Sequence, residues 1–341
     1  MKIHNRTPNI ENLYSVLRRE VPARPTLFEL FLNEPLYESL AGRKSPGNHN
    51  EKEHLKFLID AFTAAGYDYT TVYASSMTFP SADQERKDTI SLNKGFLITD
   101  EATFIEYKWP DPGHFDCSRL EIADDYLPDG MKLMVMGPGG VLENTIMLTG
   151  YENLCYMLYE EPQLVKAIFD NVGERLLKYY TIASQHDSVG IIAANDDWGF
   201  KTQTFFSIQD MEKYVFPWHK KIVDIAHSHG KPAIIHTCGY MNDVMDHIIE
   251  IGFDGKHSFE DNIMPVETAY DKWGGSIAIL GGIDIDFITR SSIESIVTRC
   301  RSMLEKSAKT GGYALGTGNS VPEYIPQDNY LAMIQTALTR L

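Results

Sequence analysis

The run Lys231-Pro232-Ala233-Ile234-Ile235-His236-Thr237-Cys238-Gly239 ends an apolar stretch in an imidazole and a thiol two residues apart. On an extended strand residues i and i+2 share a face, so His236 and Cys238 can address one common atom. A nitrogen and a sulfur donor on one face suit a zinc ion, which would lower the pKa of a bound thiol or water. A second apolar run, Ile191-Ile192-Ala193-Ala194, leads into Asn195-Asp196-Asp197-Trp198-Gly199. Adjacent side chains at a strand end diverge, so one of Asp196 and Asp197 is expected to face a pocket. The other is expected to cap a helix or bind backbone amides. Trp198 offers a face for a flat ligand or, equally, wall packing.

Later runs end in His257-Ser258-Phe259-Glu260-Asp261-Asn262, in Gly281-Gly282-Ile283-Asp284 and in Gly316-Thr317-Gly318-Asn319-Ser320. Carboxylates at such ends complete a metal site or act as general bases; for Asp261 and Asn262 helix capping is the competing role. The expected catalytic acids are Asp196, Asp197 and Glu260, and the expected metal ligands are His236, Cys238 and Glu260. Expected substrate contacts are Glu29, Asn33, Tyr73, Trp198, His257, Asp284 and Asn319.

Eight apolar runs are available to position these groups: 26–31, 67–73, 131–136, 189–194, 232–237, 253–257, 276–280 and 312–315. Nearly all are followed by a helical pattern. Alternation of this kind predicts an α/β protein, a single (β/α)8 TIM barrel spanning residues 1–341, whose strand C-terminal ends form the active face. Helices are predicted over 10–20, 50–65 and 161–183, the last with Pro162 in its first turn. The stretch 74–130, with Phe79-Pro80, Trp109-Pro110-Asp111-Pro112 and Tyr126-Leu127-Pro128, departs from the alternation. It is predicted to be an insertion after strand 2 that lies over the active face as a lid.

Composition narrows the function. A chain of 341 residues with 43% hydrophobic content can bury one large core. A formal net charge of −16 with no basic run argues against nucleic acid and against a membrane surface. With no run of eighteen apolar residues, and no apolar core after Met1-Lys2-Ile3-His4, a cytoplasmic protein is expected. Cys117, Cys155, Cys238 and Cys300 show no CxxC spacing, so a disulfide framework is not expected. Cys155 and Cys300 fall on apolar helix faces, and Cys117 follows His114 at a spacing that metal binding or chance would both give.

The order Asp196-Asp197-Trp198-Gly199, Pro217, His236-Thr237-Cys238-Gly239, Gly252-Phe253-Asp254, Leu280-Gly281-Gly282-Ile283-Asp284 and Gly311-Gly312-Tyr313 resembles the uroporphyrinogen decarboxylase superfamily over residues 130–341. The resemblance implies the same barrel. It also implies either decarboxylation of porphyrinogens or zinc-dependent methyl transfer with corrinoid proteins. The decarboxylases carry an N-terminal RQAGRYLPEY segment whose arginines hold substrate carboxylates; here 28–37 reads FELFLNEPLY, without arginine. The His-x-Cys pair is closer to the corrinoid methyltransferases, although Asn319 stands where they carry a further cysteine. The resemblance therefore implies a methyltransferase-like enzyme with zinc, a small substrate and a corrinoid partner protein. A decarboxylase acting on a porphyrinogen or smaller acid, and a non-catalytic binder of tetrapyrrole or corrinoid protein, are the alternatives.

Overall fold

The computed structural model describes residues 4–47, 50–80, 93 and 96–339. Among these described residues seven strands form one parallel sheet in chain order: β1 (Tyr69–Tyr73), β2 (Lys132–Met136), β3 (Val189–Asn195), β4 (Ala233–His236), β5 (Gly255–His257), β6 (Ala278–Leu280) and β7 (Tyr313–Ala314). Parallel order with a crossover between neighbours buries both faces of each strand, which is why β3 is buried along all but its last residue. The fold is of the α/β, TIM-barrel class. Among its covering helices, Glu51–Ala65 starts on Asn50, whose side chain accepts from Glu53 N–H at 3.2 Å, and stops at Gly66 with φ +92°. Pro162–Ser184 begins with a proline at its first position and packs on Phe216–Ser228.

The predicted first strand is a correction. Residues 26–31 lie beside β7 but form a single parallel bridge, Leu27 with Leu315, supported by Phe28 N–H on Leu315 O and Leu315 N–H on Thr26 O, both 2.8 Å. On the side facing β1 the contact runs through side chains. The buried Tyr69 hydroxyl accepts from Glu29 N–H at 2.6 Å and donates to Glu29 O at 2.7 Å. Thr71 Oγ1 donates to the same carbonyl at 3.4 Å. A hydroxyl that both donates and accepts thus does the work of two ladder bonds at this seam. Within 74–130, residues 81–92 and 94–95 lie outside the described residues; the rest carries the helices Glu101–Glu106 and Arg119–Ile122.

Because the Tyr69 hydroxyl makes two of the three hydrogen bonds described at this seam, Tyr69→Phe is expected to lower the unfolding free energy by about 1–3 kcal/mol in urea titration, the cost of leaving the buried Glu29 N–H unpaired. An unchanged midpoint would show that the seam is held otherwise.

Candidate metal centre

Strand register builds the centre. Asn195 pairs with His236 across β3 and β4, and His236 with His257 across β4 and β5. The two imidazoles meet at 2.8 Å between their Nδ1 atoms, and His257 Nε2 lies 3.0 Å from Thr317 O. A carbonyl only accepts, so His257 Nε2 carries the proton. Burial pushes His257 well below the usual imidazole range, so its Nδ1 bears a lone pair and accepts from His236 Nδ1–H. Burial, with the Lys256 charge second, pushes His236 down to about 3. Its Nε2 is therefore bare, and it faces Cys238 Sγ at 3.6 Å. Gly281, with φ +65°, allows this contact: a Cβ there would overlap Thr317 O and press on the His257 ring.

Cys238 Sγ also has Ser258 Oγ and Asn319 Nδ2 at 3.5 Å each. Burial, then the Asp197 charge, pushes the thiol up. Asp197 Oδ1 accepts from Cys238 N–H at 2.8 Å, which fixes the carboxylate beside the pair. One donor atom each from Asp197, His236 and Cys238 lies within 4.8 Å of the others. Zinc ligands about 2.1 and 2.3 Å from the ion at the tetrahedral angle stand about 3.6 Å apart, which is the His236 to Cys238 spacing. Three protein donors, one each of nitrogen, sulfur and oxygen, would leave a four-coordinate zinc one position for another ligand, the donor count of a catalytic rather than a closed structural site.

The two adjacent carboxylates have separated. Asp196 is fully buried and binds the start of the helix Val141–Thr149, accepting from Leu142 N–H at 3.0 Å and Glu143 N–H at 2.9 Å, with His219 Nε2 at 2.8 Å. Gly140 makes room, since a Cβ there would overlap the Asp196 carboxyl. Asp197 is the acid brought to the imidazole and thiol, in place of the expected Glu260. Glu260 stands apart from this group, 3.8 Å from Lys201 Nζ.

The other expected site residues are distributed through the fold. Glu29 is fully buried, its carboxylate held by Thr317 Oγ1–H at 2.7 Å and Thr317 N–H at 3.3 Å. Asn33 caps the helix Glu34–Ala41 through Leu36 N–H, and Asp284 caps Ile285–Arg290 through Phe287 N–H. Trp198 is buried against Phe216 and His219, while Tyr73 is 40% exposed and stacks on Phe31. His257 and Asn319 do meet the centre.

Three contributors escaped the sequence. Ser258, inside the strand-end run His257-Ser258-Phe259, carries no local signal of its place beside the sulfur. Glu143 accepts from Gly140 N–H at 3.0 Å, and burial with the neighbouring Asp197 and Asp196 charges pushes its carboxyl up. The only signal was a glycine followed three residues later by glutamate. Lys256, 2% exposed on β5, is pushed down to about 8 by burial; a lysine inside an otherwise apolar run was its signal.

The uroporphyrinogen decarboxylase (URO-D) family model matches residues 120–339, well over half of the chain. The chain belongs to the URO-D family. A curated relative, a uroporphyrinogen decarboxylase of Anaeromyxobacter dehalogenans (strain 2CP-C), is 23% identical over 187 residues, covering 54% of this chain and 51% of the relative. The chain thus spans about half the length of that relative. Among solved structures, a methyltransferase from Methanosarcina mazei superposes with a TM-score of 0.75 over 97% of this chain and 98% of that one, at 14% identity, a likeness of fold. Among the described residues of this URO-D member, no helix is long and apolar enough to cross a membrane.

Burial, opposed by the Thr317 donors, pushes the Glu29 carboxyl up to about 8. The folded state therefore keeps a proton that the unfolded chain releases near pH 4.3. Its contribution favours folding most below that pH and declines as pH rises towards 8, by about 1.4 kcal/mol per pH unit. Glu29→Gln is expected to flatten the fall in unfolding free energy between pH 5 and pH 8. A variant with the full wild-type slope would mean that Glu29 is ionised in the folded protein.

Proposed function

We propose that this URO-D family member is a zinc-dependent methyltransferase-like enzyme, moving a methyl group between a small substrate and a corrinoid carried by a partner protein. The observation that supports the reading most is the convergence of Asp197, His236 and Cys238 at neighbouring strand ends. Asp197, His236 Nε2 and Cys238 Sγ would hold the ion, which when bound supplies Lewis acidity towards a substrate thiol, alcohol or phenol. The protein's own part is orientation and proton control. The Thr317 carbonyl and His257 keep His236 Nε2 unprotonated. Cys238 N–H anchors Asp197, while Ser258 and Asn319 stand beside the sulfur. Asp196 is a positioning residue, tying the β3 end to the helix that carries Glu143.

Decarboxylation is the second reading, supported by the family description and by a half-buried Asp197 whose carboxyl is raised by desolvation and by the Asp196 charge. In that chemistry Asp197 would stabilise a protonated ring during loss of carbon dioxide, with no metal required.

Protein purified without added zinc is expected to carry about one equivalent of metal, falling below about a tenth in His236→Ala and in Cys238→Ser. Wild-type protein that itself stays below a tenth would remove the metal reading. Metal uptake is expected to weaken as pH falls, by about tenfold per unit, because Cys238 must lose its proton whereas His236 is already neutral. With metal loaded, methylcobalamin and a panel of thiols, alcohols and phenols should show loss of the methyl–cobalt absorbance. Carbon dioxide release from uroporphyrinogen by metal-free protein, abolished in Asp197→Asn, would select the decarboxylase instead.

A further inference from the structure

Ser258, just beyond β5, has its two oxygens on different groups. Its carbonyl accepts from the Lys256 ammonium, and its hydroxyl stands 3.5 Å from Cys238 Sγ. The backbone holds it there: Ser258 N–H donates to Thr237 O at 3.3 Å, and Thr237 N–H to His257 O at 2.7 Å, which carries the pairing of β4 with β5 past the strand ends. One serine thus links a cation to the sulfur of the candidate centre. The ammonium is 2% exposed and lies 4.1 Å from the Phe259 ring centroid. The cavity beside it measures about 20 Å³, room for about one water.

A buried ammonium needs counter-charge. The Cys238, Asp197 and Glu260 charges all favour it, and Glu260 is itself offset by Lys201 at 3.8 Å. Burial lowers Lys256 only to about 8, so it stays charged at pH 7. Its charge in turn acts on all three donors of the centre, second to burial at His236 and against burial at Asp197 and Cys238. A divalent ion held by the Asp197 carboxylate and the Cys238 thiolate makes a neutral group, to which Lys256 adds a single positive charge. Three protein donors leave such an ion one position for a further ligand.

We propose that Lys256 is a specificity-determining residue of this centre: anchored on Ser258, its ammonium keeps the pocket at Cys238 one positive charge in excess and so selects an anionic ligand over a neutral one. This role deepens the metal reading and rests on it. An ammonium behind the sulfur attracts an anion through the low-dielectric interior without touching it, so the discrimination is electrostatic rather than steric. Ser258 is the mechanical half of the arrangement, since the bond that orients the lysine also sets the hydroxyl beside Cys238.

Alkylation of the chelator-treated full chain with anionic iodoacetate and with neutral iodoacetamide tests the charge, each cysteine being read by peptide mass spectrometry. The ratio of the two rates cancels the thiolate fraction and reports the potential at the sulfur. At Cys238 the iodoacetate to iodoacetamide ratio is expected to fall by about fivefold or more in Lys256→Gln and to be kept in Lys256→Arg. The ratios at the half-buried Cys117 and Cys155 should stay as they are. A loss of packing alone would move both reagents together and leave the ratio unchanged. An unchanged ratio in folded Lys256→Gln, an equal fall in folded Lys256→Arg, or a Cys238 that reacts with neither reagent would overturn the proposal. Should Lys256→Gln fail to fold, Asp197→Asn decides: a Cys238 ratio above that of N-acetylcysteine supports the proposal, and one at or below it overturns it. Metal content, measured in parallel, tests the metal reading by itself, so failure of either is recognised apart from the other.

Discussion

Parallel register across three strands is the constraint on which the centre depends. Asn195, His236 and His257 stand side by side because β3, β4 and β5 are hydrogen-bonded in step. A slip of one residue would turn both imidazoles to the opposite face of the sheet. With the register fixed, the Thr317 carbonyl decides the protonation of two rings in succession, and the second ring presents a lone pair to a thiol. The polarity of a backbone group on one side of the barrel thus sets the donor chemistry on the other.

The fold class was legible in the sequence because most strands are buried on both faces and read as short, largely apolar runs between amphipathic helices. The His236 and Cys238 pair was legible for a similarly local reason, the two-residue period of a strand. Residues 26–31 misled because the same apolar signature serves a segment packed against a neighbour through a phenol oxygen. Nothing in composition distinguishes a ladder from a side-chain contact.

The division of labour between Asp196 and Asp197 was foreseen only as a pair of roles. Which residue takes which role depends on where the start of the helix Val141–Thr149 lies, and that is set by Gly140, more than fifty positions away. Lys256 and Glu143 were missed for the same physical reason. Their roles arise from burial and from charges supplied by distant segments, and a linear pattern carries neither. Two of the expected ligand contacts, Asn33 and Asp284, cap helices, the local bonding to which short polar side chains at strand and loop ends are suited.

The phenol that closes the barrel has a mechanical corollary. Around the sheet neighbouring strands are joined by rows of backbone bonds, but on the β1 side residues 26–31 are held by the hydroxyls of Tyr69 and Thr71. The same segment carries Glu29, whose carboxylate grips the turn that bears Thr317 and Asn319. One residue thus couples the β1 seam to the wall nearest the sulfur.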